Sequence, residues 1–122
     1  MIERTIKYTD FNGVQREEKF YFHLSKAELL EMETTVSGGF TKNLEKIIAA
    51  QDGGTIIQVF KDIVLRAYGE KSDDGRRFMK SPEIAKAFSE TEAYTELFME
   101  LATDADAATA FVKGVLPNEL QR

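Results

Sequence analysis

The start of the chain alternates between apolar and polar residues, which is typical of a strand with one buried face. Apolar and polar residues nearly alternate over Ile2–Tyr8, and a second strand is predicted over Val14–His23. The two stretches predict a two-stranded β-hairpin over residues 2–23, with one face that needs a cover.

Two turns are compatible with Asp10–Gly13 between these strands: a two-residue loop, or a three-residue loop with Gly13 in a left-handed conformation. The shorter loop would split the apolar side chains between the two faces of the hairpin. The longer loop pairs Lys7 with Glu17 and gathers the apolar side chains on one face, so we predict the longer loop. The gathered residues are Ile2, Ile6, Tyr8, Val14, Phe20 and Phe22.

Residues 25–116 carry helical signals. Ser25 and Glu28 form a capping box that predicts a helix from Lys26 to about Val36. A second short helix is predicted between two Gly-Gly pairs that act as stops, Gly38-Gly39 and Gly53-Gly54. Its three-and-four spacing is carried by Phe40, Leu44, Ile47 and Ile48.

The stretch Thr55–Tyr68 is apolar on more than one face, which predicts the most buried helix of the core, with Phe60 and Ile63 inside and Gly69 just past its end. Residues 70–77 lack a hydrophobic period and predict an exposed loop.

Three more helices are predicted toward the end of the chain. Ser81 and Pro82 open the first, a capping box of Ser89 and Glu92 opens the second, and the third begins near Thr103. Residues 117–122 are expected to fray. The apolar positions assigned to these helices are Ile84, Ala87, Phe88, Tyr94, Leu97, Phe98, Leu101, Ala107, Ala108, Phe111, Val112 and Val115.

These elements predict an α+β fold, with the hairpin followed by about five to six α-helices in one compact domain over residues 1–122. A length of 122 residues with 43% hydrophobic content fits one domain. The chain has no cysteine, which excludes disulfides and thiolate sites, and no apolar run of membrane-spanning length. Met1 leads into the first strand without an export signal, so we expect an unprocessed chain in a cytoplasm.

Acidic residues outnumber basic ones by 21 to 16, and the formal net charge of −5 argues against nucleic acid as a partner. The acids concentrate in residues 87–112, where Glu92, Glu96 and Glu100 lie four apart on one helical face without a nearby Lys or Arg. This face is either merely solvated or attracts a basic partner helix. Tyr94 and Phe98 are either core residues or part of a helix-binding groove.

No constellation of catalytic residues is found. His23 stands alone in the outward phase of the second strand, which favours a surface or strand-end role. The Gly-Gly pairs lack the context of a phosphate loop, and Asp73-Asp74-Gly75 lacks the ligand spacing of a calcium loop. We therefore predict no catalytic, metal or cofactor site.

Four stretches of the chain resemble the tail assembly chaperones of siphophages and prophages of Gram-positive bacteria. They are Tyr8–Gly13, Phe20–Leu30, Phe60–Ser72 and Phe88–Leu101. The resemblance implies a non-enzymatic protein of the host bacterial cytoplasm that binds the tape measure protein, keeps it soluble, and is displaced as tail tube protein polymerises. It further implies absence from the mature virion, and a longer frameshifted form extended near Pro117–Arg122.

The family pattern fixes no contact residues, so surface logic alone nominates Glu92, Glu96, Glu100, Tyr94 and Phe98 for partner binding. The alternative function is a structural virion component, such as a tail or connector subunit. One short hairpin offers little edge for subunit contacts, which disfavours that alternative.

Overall fold

In a computed structural model, the chain is described at residues 1–35, 46 and 53–115, and it forms a four-stranded antiparallel sheet with helices. The strand order is β1-β2-β3-β4, so β1 lies at an edge. The fold is α+β, as predicted. Its elements are β1 (Ile2–Thr9), β2 (Gln15–Phe22), α1 (Lys26–Thr35), α2 (Gly53–Ala67), β3 (Tyr68–Lys71), β4 (Phe78–Met79), α3 (Pro82–Ser89), α4 (Glu92–Thr103) and α5 (Ala105–Val115).

The turn between β1 and β2 is the predicted three-residue loop. Asp10 N–H donates to the Val14 carbonyl at 2.9 Å, and Gly13 N–H donates to the Asp10 carbonyl at 3.0 Å. Gly13 has a φ of 80°, which a residue with a Cβ adopts at a cost. Lys7 lies opposite Glu17, so the register is confirmed.

The core lies between one face of the sheet and the helices. Phe22, at the end of β2, is fully buried and meets Phe111 of α5 and Phe88 of α3 edge-on, with ring centroids 5.2 and 5.7 Å apart. The predicted burial of Phe60 and Ile63 is confirmed, at 7% and 1% exposure. The other large buried side chains include Leu24, Val64, Leu97, Leu101, Val112 and Val115.

Two strands were not predicted: β3 replaces the predicted helix end and the first residues of the predicted loop, and β4 directly follows that loop. Gly69 is therefore not a helix terminator but a strand residue opposite Tyr21. A Cβ on Gly69 would lie 2.7 Å from the Phe78 ring and 2.9 Å from the Met79 carbonyl oxygen. Glycine is needed for this close strand approach, and a strand of only four residues has no clear hydrophobic period to reveal it.

Helix boundaries gave two further corrections. Gly53-Gly54 was predicted as a helix stop, but these two residues form the start of α2, where the first N–H groups need no intrahelical partner. The cap of α4 is Thr91, whose hydroxyl accepts from Tyr94 N–H, and Ser89 instead donates to a carbonyl of α3.

Two apolar positions on the helices are more exposed than predicted. Ile57 is 40% exposed, so α2 is buried along one stripe, and Ala87 of α3 faces solvent.

The capping box of Ser25 with Glu28 is confirmed by hydrogen bonds of 3.0 and 3.1 Å, and the Ser81 cap is confirmed by a hydrogen bond of 3.0 Å. Residues 36–45, 47–52 and 116–122 lie outside the described residues, and with them the Gly38-Gly39 stop of the first predicted helix and the predicted helix of Phe40, Leu44, Ile47 and Ile48.

Candidate partner-binding surface

Helix α4 presents two different flanks because its core stripe is narrow. Ala93, Leu97 and Leu101 are buried against the sheet and neighbouring helices. At 3.6 residues per turn, Glu96 then lies on one side of this stripe and Phe98 on the other. The candidate residues therefore form two surfaces on opposite flanks of the helix and not one continuous site.

The acidic flank of α4, formed by Glu92, Glu96 and Glu100, lies beside strand β1. Arg4 of β1 donates to the Glu100 carboxylate, which corrects the expectation that the acidic face is uncompensated. Glu92 is half-buried in the first turn of α4, whereas Glu96 and Glu100 are exposed. The sequence offered one signal for this pair: Arg4 stands in the inward phase of β1, where a charge needs a partner.

Two shallow grooves meet at Glu96. The first, of about 230 Å³, runs between α4 and residues 4–7 of β1. The second groove, of about 560 Å³, lies at the end of the hairpin near the loop that joins β1 and β2, and it is lined by both acidic and basic residues. Its lining residues are Lys7, Tyr8, Thr9, Gln15, Arg16, Glu17 and Glu96. Open, charged grooves of this kind fit a polypeptide better than a small molecule.

On the aromatic flank of α4, Tyr94 and Phe98 stack with ring centroids 5.7 Å apart. Tyr94 also meets the edge of the Phe88 ring at 5.7 Å. Burial, together with the negative charge of Asp62, raises the pKa of Tyr94. Both residues are half-buried, so this flank closes the side of the core and offers a partner only part of each side chain.

A polar network holds the far end of the hairpin. Arg16 Nε donates to Asp10 Oδ2 at 2.6 Å, and the Tyr8 hydroxyl donates to Glu18. The Arg16 hydrogen bond and the N–H groups of Val14 and Asn12 lower the pKa of Asp10 below its ordinary value. The hydrogen bond to Glu18, followed by burial, raises the pKa of Tyr8.

Exposed apolar side chains at this far end were missed by sequence reasoning. Phe11 is 76% exposed in the loop, and Val14 is 51% exposed although it shares the inward phase of β2. The available signal was Phe11 itself, since an aromatic residue in a three-residue loop cannot reach a core beneath the strands. Exposed aromatics on a protruding loop are a feature of protein-binding surfaces.

His23 follows β2 and is half-buried, in agreement with a strand-end role. Burial, followed by the positive charges of the N-terminus and Lys80, lowers the pKa of His23. Lys80 Nζ donates to the His23 carbonyl at 2.6 Å and to Glu28 Oε2 at 2.7 Å. Burial raises the pKa of Glu28, but hydrogen bonds from Lys80 and Ser25 outweigh it, so the net shift is downward. This cluster ties α1 to β4.

Within the described ranges, no three His, Cys, Asp or Glu side chains lie close enough together to hold a metal ion. None of the helices described there has the length and apolarity needed to cross a membrane.

A small α+β domain with an acidic helix flank, an edge strand and a protruding apolar loop has the surface features of a protein-binding module. The family model for phage tail assembly chaperones matches residues 1–122, and the chain belongs to that family. Comparisons with curated proteins and with solved structures gave no significant match.

Proposed function

We propose that this protein is a tail assembly chaperone that binds the tape measure protein in the host bacterial cytoplasm and keeps it soluble until the tail tube forms. The observation that carries the proposal is the family match over residues 1–122. Tail tube protein and a longer frameshifted form of the chain are proposed as further partners, and the protein is absent from the finished virion.

The acidic flank of α4 is the proposed contact surface, centred on Glu96. This residue is exposed and lines both grooves, while Glu100 is already occupied by Arg4. A long helical partner with basic residues would gain electrostatic attraction along this flank. Tyr94 and Phe98 offer a second, smaller contact on the opposite flank.

The proposed role requires no chemical step. A holdase acts by mass action, since any segment that it binds is withdrawn from aggregation. Binding many similar segments needs exposed, adaptable surface and no positioned acid or base. We therefore propose that the protein is not an enzyme.

Co-expression with the tape measure protein of the same phage tests the proposal. We expect the soluble fraction of tape measure protein to rise when the chaperone is present. Glu96→Lys should reduce this protection, and the reduction should shrink as salt screens the charges. Reversing Glu100 would be a poorer test because it also breaks the ion pair with Arg4.

Asp73→Lys, in the exposed loop after β3, is the matched control, since it changes the charge equally but lies away from α4. Circular dichroism should show that both variants are folded. If both variants protect equally well, the acidic flank is not the contact surface. If the wild-type protein gives no protection, the tape measure role itself is wrong.

A structural virion component is the second candidate function, and one observation now favours it. The sheet has four strands where one hairpin was predicted, and no strand of the described residues pairs with the outer edge of β1, Ile2–Thr9. Mass spectrometry of purified virions separates the two functions. Stoichiometric amounts of this chain in mature tails would favour the structural role.

A further inference from the structure

We propose that two copies of this chain associate through their edge strands, with β1 pairing antiparallel to β1 around a two-fold axis at Thr5. The proposal does not rest on tape measure binding. It follows from three features of β1: the direction of its backbone groups, the order of its charges, and the position of Arg4.

The hydrogen-bonding pattern of the hairpin leaves one set of backbone groups on β1 pointing away from β2. Asp10 N–H bonds to the Val14 carbonyl, which makes this pair a hydrogen-bonded one. Bonding alternates along an antiparallel strand, so Tyr8, Ile6 and Arg4 also bond to β2. The N–H and C=O groups of the odd-numbered residues Glu3, Thr5, Lys7 and Thr9 therefore point outward from the sheet edge.

No strand within residues 1–35 and 53–115 pairs with this outer edge. An unpaired edge of this kind is a template for another strand. Natural sheets commonly blunt such an edge with proline or a bulge, and β1 has no proline and an unbroken register with β2.

The charges of β1 are self-complementary in one antiparallel register. With Thr5 opposite Thr5 of the second copy, Glu3 faces Lys7 of the other copy, and the same pair recurs on the other side of the axis. These are the same residues whose backbone groups point outward, so the register that pairs the charges also forms the hydrogen bonds.

The charge alternation continues into β2. Lys7 already lies opposite Glu17, and Glu3 forms an ion pair of 3.5 Å with Lys19. Pairing two copies would therefore form a row of alternating charges across the exposed face of the sheet. The row consists of Glu17 and Lys7 of one copy, followed by Glu3 of the second copy. Opposite charges on neighbouring strands are stabilising, and like charges would be destabilising.

The helix-covered face is also compatible with this pairing. A two-fold axis perpendicular to the sheet puts both α4 helices on the same side, with Glu96 and Glu100 of the two copies approaching each other. Arg4 lies one residue from the axis and is paired with Glu100, so each copy brings one base to this region. The Glu96 charges are exposed and solvated beside it.

Self-association is tested first by mass. Sedimentation equilibrium of the full chain should show a species of twice the 13.8 kDa chain mass. Thr5→Pro removes an outward N–H without touching the bonds to β2, so the fold should persist while association weakens by about tenfold or more. Thr9→Pro is the matched control, because Thr9 points to the same edge beyond the paired stretch.

Charge-reversed variants test the register by mixing. Glu3→Lys leaves two positive side chains on the exposed face of β1, and Lys7→Glu leaves two negative ones, so each variant alone should dimerise less than the wild type. An equimolar mixture restores both opposite-charge pairs between unlike chains and should form heterodimers. Circular dichroism of each variant checks the hairpin, since Lys7→Glu also faces Glu17.

A single introduced thiol locates the axis, because the natural chain has no cysteine. Thr5→Cys should cross-link rapidly under mild oxidation, since paired Cα atoms about 5.5 Å apart allow a disulfide. Thr9→Cys should cross-link far more slowly. Equal rates for the two, or a monomeric wild type at millimolar concentration, would overturn the proposal. The proposal would also be overturned if the wild type is monomeric and Thr5→Pro loses binding to a phage protein. In that case the outer edge of β1 would pair with a strand of that protein.

Discussion

The two ends of the β1–β2 hairpin share one sheet face but are held by different interactions. At the end that joins α1, Phe22 is fully buried and Phe20 packs on Phe88 with ring centroids 5.4 Å apart. At the loop end the same face carries the exposed residues Arg16 and Glu18, and Arg16 forms ion pairs with Glu18 and with Asp10. The hairpin is anchored by apolar packing at one end and extends into solvent at the other.

This difference shows that the phase of a strand predicts which face of the sheet a side chain points to, and does not predict whether a helix covers that side chain. Val14 and Phe22 lie in the same phase of β2, yet one is half exposed and the other is fully buried. The helices cover only the part of the sheet that they reach. Beyond them a polar network and the turn must hold the strands together, and the free end remains available for partners.

The largest expected effect is that of Phe22→Ala. Loss of a buried phenylalanine at the junction of sheet and helices should destabilise the fold by about 3–5 kcal/mol, since the neighbouring rings cannot all move into the space. Chemical denaturation measures the loss. Val14→Ala removes an apolar side chain from the same face and should change stability much less. Similar losses for both would mean that the loop end is also packed.

A smaller loss is expected from Gly13→Ala. The positive φ of Gly13 would be forced on a residue with a Cβ, which costs about 1–2 kcal/mol. A Cβ here would contact nothing within 4 Å, so the effect is one of backbone strain alone. Gly13→Asn should lose less than Gly13→Ala, because asparagine tolerates this conformation better. Equal losses for both would indicate that something other than backbone strain is involved.

Sequence reasoning recovered those parts of the fold that local signals encode. The hairpin register followed from the phase of Phe20 and Phe22, and two helix starts followed from the caps at Ser25 and Ser81. The boundary of α4 was displaced because Ser89 and Thr91 are both plausible caps, and only the path of the chain selects Thr91. Local chemistry determines which residues can cap, and tertiary packing determines which one does.

Contacts between residues far apart in the sequence could not be predicted from such local signals. β3 adds to β2 through Gly69 and Tyr68, and nothing in its four residues alternates clearly enough to predict a strand. The Arg4–Glu100 pair joins residues far apart in the sequence, so the acidic flank looked uncompensated when only its helical neighbours were considered. The contact residues proposed for the partner remain predictions.

The smallest effect concerns the Asp10–Arg16 pair at the loop end. Arg16→Gln should raise the pKa of Asp10 toward its ordinary value of 3.8, while the N–H groups of Val14 and Asn12 keep part of the downward shift. Because the folded-state pKa is depressed, Asp10 stabilises the hairpin at neutral pH, and this contribution is lost as pH falls through the folded-state pKa. Arg16 is exposed, and solvent therefore weakens the ion pair, so the overall stability should change less than with Gly13→Ala. Carbon-13 NMR titration of the Asp10 carboxyl measures the shift. Lys19→Gln, which removes the partner of Glu3 instead, should leave the Asp10 titration unchanged. An Asp10 pKa that stays in place in Arg16→Gln would show that the turn amides, and not the ion pair, hold this end of the hairpin.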